Sequence, residues 1–202
     1  MGYHERHLKI ARELGDRSGE GAAYANLGNA HYRMGDLETA KGYHERHVKI
    51  AKELNDKLGE AIGCFNLGYD FECLDQVPVA IEYYQLSITL FNDIRDSLQL
   101  NDELKISIRD HDQYQMSYTA LCRLMLAGGK VTEALFYAEQ GRAQGLKDLM
   151  ALNYAFEAND FKSVKDNGTF FEVFSSFPLN TIFMAIGIEE VIFWVCQKGK
   201  EV

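Results

Sequence analysis

The sequence predicts a mainly α fold, a solenoid of stacked helical hairpins, followed by an incomplete α/β segment. Two observations carry the helical part. Residues 2–20, GYHERHLKIARELGDRSGE, recur at 42–60 as GYHERHVKIAKELNDKLGE, with 14 of 19 positions identical at an offset of 40 residues. A fixed period of that size marks a repeat architecture, in which each unit buries its apolar face only against its neighbours. Within each period, apolar and small residues return at helical spacing on two segments with one short break between them. The third observation concerns the end of the chain, where two continuous apolar runs of strand length replace the helical pattern.

Residues 1–16 read as a partial repeat, the second helix of a pair. The first full pair spans 19–56: Tyr24, Leu27, Gly28 and His31 share a helical face, Met34-Gly35-Asp36 breaks it, and Leu37, Ala40, Tyr43 and His44 continue on a second helix. In the second pair, 57–96, the matching residues are Cys64, Leu67, Gly68 and Phe71, a break around Asp75, then Val77, Ala80, Tyr83 and Tyr84. Gly28 and Gly68, with Ala40 and Ala80, let paired helices approach closely at levels where larger residues would overpack. A weaker third copy fills 103–152: Tyr118, Leu121, Cys122 and Met125, a Gly128-Gly129-Lys130 break, then Val131, Ala134, Ala138 and Gly141. Leu121 follows Leu67 by 54 positions rather than 40, so a longer connection, mostly 97–112, precedes it.

Residues 153–168 are polar and turn-rich, a linker by composition. Phe170 to Phe177 is a short aromatic stretch ended by Pro178. Thr181 to Ile186 and Val191 to Cys196 then read as two strands of a hairpin that needs cover on both faces. The chain reads as beginning inside a second helix and stopping just after a strand, so a fragment is expected.

Composition narrows the function. The chain has 202 residues with 21 Lys+Arg against 30 Asp+Glu, a net charge of −9 that argues against nucleic acid as partner. The start has no apolar core behind a basic patch, and the longest apolar stretch is interrupted by Glu189-Glu190. A cytoplasmic location without membrane contact is the expectation. Cys64, Cys73, Cys122 and Cys196 show no CxxC spacing and read as isolated buried thiols.

Chemistry is sought and not found. His4 to His7 and His44 to His47 place imidazoles three apart on a helix, but further ligands for a metal are missing, and recurrence in step with the repeat favours packing. Gly128-Gly129-Lys130 lacks the flanking residues of a phosphate loop, and Asp110-His111-Asp112 reads as a solvated turn. No cofactor and no enzymatic activity are expected.

Surface recognition remains. In a stack of helical pairs the first helices line a concave wall suited to extended peptides. Projection places Asn26, Asn29 and Tyr32 of one pair beside Asn66 and Tyr69 of the next, with Arg123 on the third. An exposed Asn can donate to and accept from a peptide backbone together. Residues 57–128 carry 11 acidic and 5 basic groups, which favours a basic or neutral protein segment as partner.

The Leu-Gly step before an aromatic, with Ala early in the second helix, resembles the tetratricopeptide repeat. Its usual period is ~34, and 40 resembles the long-repeat variety of Pins/LGN-type scaffolds. Ala138-Glu139-Gln140-Gly141-Arg142-Ala143 to Leu149 is similar to the helix that joins such repeats to a CHAT domain, a caspase-like α/β module, and the strand pair is similar to the start of that domain. The whole order resembles the tetratricopeptide repeat protein 28-like family. That resemblance implies a cytoplasmic scaffold or, as the alternative, the sensor part of a cysteine peptidase whose catalytic residues lie beyond this chain. The family's carboxylate clamp wants Lys or Arg where this sequence has Ala25, Met116 and Ala120, keeping only Asn29 and Asn66, which argues against chaperone tails as ligand.

Overall fold

A computed structural model describes residues 2–98, 112–154, 181–186 and 191–196, with side chains for 2–98 and 112–142. The connection at 99–111, most of the linker, the Phe170 to Phe177 stretch and Asp110-His111 lie outside the described residues. The chain divides into two compact units, Met1–Ser117 and Tyr118–Val202.

The first unit is built from α1 (Gly2–Leu14), α2 (Arg17–Arg33), α3 (Leu37–Glu53), α4 (Lys57–Cys73), α5 (Val77–Ser97) and the beginning of α6 (Asp112–Ala127). From α1 to α5, each helix packs on the next. One turn design separates them. Gly15, Gly35, Asn55 and Asp75 all adopt positive φ, and they stand 20 residues apart. A left-handed residue at a helix end costs little for Gly and is tolerated by Asn and Asp. In the first full pair the Gly35 amide donates to the Tyr32 carbonyl at 2.9 Å and the Asp36 amide to the His31 carbonyl at 3.0 Å, which closes a Schellman motif. The same two bonds recur from Asn55 and Asp56 to Lys52 and Ala51, and from Asp75 and Gln76 to Glu72 and Phe71. The next helix then starts on a cap: the Asp16 and Asp56 carboxylates accept from the Gly19 and Gly59 amides, each at 2.9 Å. Seventeen-residue helices joined by three-residue turns therefore make a half-period of 20, and two of them the 40-residue repeat.

Small residues set how near the helices come. A Cβ placed on Gly28 would collide with the His44 ring, and one on Gly68 would lie 2.9 Å from ring carbons of Tyr84. Around those levels Ala23, Leu27, Ala40, Ala61, Leu67 and Ala80 are buried. Burial of each leucine contributes about 2 kcal/mol. Between successive pairs, α3 meets α4 where Val48 and His47 press on Gly63. The ion pairs repeat too: Arg12 reaches Glu20 at 3.1 Å, and Lys52 reaches Glu60 at 3.8 Å one period on.

The second unit holds the rest of α6, then α7 (Val131–Tyr154) and the strands β1 (Thr181–Ile186) and β2 (Val191–Cys196). Gly129 supplies the positive φ between α6 and α7. Tyr118, Leu121, Cys122, Met125, Ala134 and Leu135 are buried, and Gly141 leaves room for Tyr118, whose Cβ would lie 3.2 Å from an added methyl. β1 and β2 pair antiparallel, with Thr181 opposite Cys196 and Ile186 opposite Val191.

Candidate functional site

Helix α2 turns its buried side, Ala23, Tyr24, Leu27 and Gly28, toward its neighbours, which leaves Ala22, Asn26, Asn29 and Arg33 exposed at a spacing of three to four residues. Along α4 the corresponding strip is Leu58, Ile62, Asn66, Tyr69 and Cys73, with Ile62 and Asn66 half-buried and the others exposed. The two strips meet through Tyr32: its ring lies 5.0 Å from that of Tyr69, and its hydroxyl is 3.8 Å from the Cys73 sulfur. Phe65 stacks on Tyr69 at 6.4 Å. Burial foremost, then hydrogen bonding to Tyr69 and Cys73, pushes the Tyr32 phenol well above its ordinary range, so it stays a protonated donor. Among the described residues, the side chains of Asn26, Asn29 and Asn66 make no hydrogen bond. Arg123 is exposed on α6, in the second unit.

Two buried residues hold the strip of α4 in place. His44 Nδ1 on α3 lies 2.5 Å from a carboxylate oxygen of Asp70 on α4, with the two side chains 2% and 1% exposed. Asp70 adjoins Tyr69, so this bond fixes the register of the α4 strip against α3. Such a bond in low dielectric is directional and costly to break. The sequence reading passed over Asp70. Its signal was the phase: Asp70 stands three residues after Leu67 and seven after Gly63, on the face that α4 buries.

Residues 2–53 and 22–93 match the tetratricopeptide repeat family. Residues 2–93 carry tetratricopeptide repeats. Three relatives are similar over a short stretch: G-protein-signaling modulator 1 of Mus musculus, Rattus norvegicus and Homo sapiens, each 50% identical over 38 residues, 19% of this chain and 6% of the relative. The matched stretch is thus a small part of those proteins. Among solved structures, that of BtubC (BKLC) from P. vanneervenii aligns over 81% of this chain and 76% of its own, at 16% identity and a TM-score of 0.41.

Within the repeats, the second copy of the histidine motif is packing. His44 and His47 are buried, His44 against Gly28 and His47 against Gly63. Burial foremost, then the neighbouring His44, lowers the His47 pKa. Among the described residues no group of three or more His, Cys, Asp or Glu side chains converges. The cysteines need one correction. Cys64 and Cys122 are buried, and burial pushes the Cys64 thiol up to about 12, but Cys73 is exposed because it follows Tyr69 by one helical turn on the outer strip. The side chain of Cys196 lies outside the described residues. Among the described residues no helix is long and apolar enough to cross a membrane.

Proposed function

We propose that the repeats act as a non-catalytic scaffold that captures an extended segment of a partner protein along the first helices of successive pairs. The observation that carries the reading is the Tyr32–Tyr69 contact, which makes the strips of α2 and α4 neighbours. Asn26, Asn29 and Asn66 then offer paired donors and acceptors to a backbone, and Tyr32 and Tyr69 offer aromatic area, with Arg123 further along the chain. The acidic excess of 57–128 favours a basic or neutral segment. The name of the G-protein-signaling modulator suits a cytoplasmic signalling assembly as the setting. The test is a peptide array probed with the full chain and with an Asn26→Ala/Asn66→Ala variant that keeps its thermal stability. Captured peptides should bind the variant about tenfold more weakly. Unchanged capture would remove the asparagine strip from the reading.

A second reading rests on the antiparallel β1–β2 pair and the resemblance of Ala138 to Leu149 to a joining helix: the repeats are then the sensor of a CHAT-type cysteine peptidase. Its test is the sequence beyond this chain, where a His and a Cys should each end a later apolar strand. Absence of either defeats it.

A further inference from the structure

Three helices meet at the ring of Tyr24. The residue is buried on α2, and two guanidinium groups reach its ring, Arg12 from α1 at 5.6 Å and Arg46 from α3 at 5.5 Å. Arg46 also covers Tyr43 at 5.6 Å, and the two tyrosine rings lie 5.9 Å apart. The arginines differ in what their N–H groups do. Arg12 bonds Glu20 at 3.1 Å and the Tyr24 hydroxyl. Arg46 is exposed, and among the described residues it makes no ion pair or hydrogen bond. Its own helix supplies no carboxylate within reach, since the positions three and four away hold Gly42, Tyr43, Lys49 and Ile50. Aromatic rings engage the face of a guanidinium and leave its edge, so Arg46 is a planar fork of donors, held in place and uncommitted. Its exposure does not depend on what precedes α1. A helix before α1 would stand to α3 as α2 stands to α5, and Leu86, the counterpart of Arg46 one period on, is 38% exposed with α2 in place.

We propose that Arg46, stacked on Tyr24 and Tyr43, is the anchor of a docking site for the carboxylate of an Asp or Glu side chain on a partner polypeptide. The fork matches two carboxylate oxygens at once. Tyr24 and Tyr43 fix the guanidinium before the ligand arrives, so less side-chain freedom is lost on binding. A monoanion fits better than a phosphate dianion, because only one cation here is uncommitted. Arg12 is engaged by Glu20, and Lys49, one turn beyond Arg46, stands four residues after Glu45. A single exposed ion pair is worth little alone, so the carboxylate comes on a polypeptide whose other contacts hold it. The site is particular to the first hairpin, since Cys64 and Leu86 take the places of Tyr24 and Arg46 in the second. Tyr24 stands two residues from Asn26, on the opposite side of α2. This site is therefore separate from the asparagine strip, and either can fail alone.

The probe is the peptide acetyl-Gly-Glu-Gly-amide, titrated into the full chain at constant ionic strength and followed by the NMR signals of the Arg46 Nε–H group and of the Tyr43 and Lys49 backbone amides. The signals should move saturably, with Kd below ~100 mM, and the same peptide with Gln in place of Glu should bind at least about tenfold more weakly. Arg46→Leu should keep the parent melting temperature, because Leu86 occupies the same position one period on, and should abolish the shifts. An Arg46→Leu/Leu86→Arg chain restores the charge without a Tyr24 counterpart, and the guanidinium introduced at position 86 should bind about threefold more weakly than Arg46. The Asn26→Ala/Asn66→Ala chain should bind the peptide as the parent does. No saturable shift at Arg46, equal binding of the Gln peptide, or equal binding at position 86 would each overturn the proposal. So would inorganic phosphate binding more tightly than the peptide. An Arg46 signal that moves on dilution of the chain alone would also overturn it, since the site would then belong to a second copy.

Discussion

Hairpins α2–α3 and α4–α5 share a backbone plan but treat polar atoms differently. At the level of Gly28 the first hairpin has His44, and at the level of Gly68 the second has Tyr84. The Tyr84 hydroxyl donates to Glu72 at 2.9 Å, and one turn later the Ser87 hydroxyl donates to the Ala61 carbonyl at 2.9 Å. In the first hairpin the equivalent residues are His44 and His47. Among the described residues His44 Nε2 and His47 Nδ1 are buried without a partner, and so is Asp70 Oδ1. Buried polar atoms without partners cost more than paired ones return. The difference teaches that the repeat fixes volumes, while hydrogen bonding is settled pair by pair, and that the α3–α4 joint is the costlier one to keep closed.

The largest expected effect tests the volume rule. Gly28→Ala should destabilise by about 3 kcal/mol, and Gly68→Ala by less, roughly 1 to 2 kcal/mol, because a methyl at position 28 meets an imidazole already tied to Asp70. Urea unfolding of both variants measures the ranking, and equal losses would break it. The third hairpin offers the rescue. Cys122 and Ala138 stand one repeat after Gly68 and Tyr84 at the offset of 54, a larger residue in place of the glycine and a smaller one in place of the tyrosine. A Gly68→Cys/Tyr84→Ala variant should therefore lose less than the sum of its single changes, a non-additivity expected of residues in contact.

Next in size is the polar bond. Asp70→Ala removes the hydrogen-bond partner of His44 Nδ1 and should cost about 2 kcal/mol, whereas Tyr84→Phe, at a part-buried hydroxyl, should cost about 1 kcal/mol. Asp70→Ala should also loosen the α4 strip, seen as faster amide exchange around Asn66 and Tyr69 while Asn26 and Asn29 keep their protection. If both changes cost the same and exchange is uniform, burial of the first bond contributes nothing special.

Much of this architecture was legible in the residues. The 40-residue block, the Gly28 and Gly68 contacts and the Gly35 break follow from spacing alone. The half-period did not show, because its turn residues differ in kind: Gly15, Gly35, Asn55 and Asp75 share a backbone conformation, and only the backbone reveals that an Asn and an Asp do the work of glycine. Asp70 was missed for a related reason. One period earlier its position holds Ala30, so no repeat logic pointed to it, and its value depends on His44 arriving from another helix. Cys73 was misread because thiols were judged by type, although its phase with Asn66 and Tyr69 marks the outer face.

The smallest effect separates the hairpins by pH. His47 titrates and Ser87, its counterpart, does not. The folded pKa of His47 lies below its ordinary value near 6.5, with burial the main cause, His44 on the same helix adding to it and Asp56 opposing it. The unfolded chain therefore takes up a proton on acidification before the folded chain does. Stability from this group is complete above about pH 6.5 and is lost as pH falls through the folded value. Between about pH 7.5 and 5.5 the full chain should lose up to about 1 kcal/mol more than a His47→Gln variant. Amide exchange should show the loss in α3 before α5, because at the matching level of the second hairpin Ser87 keeps its bond to Ala61 at any pH in that window. A pH slope that His47→Gln leaves unchanged would move the acid sensitivity to another group and leave the two hairpins alike in this respect.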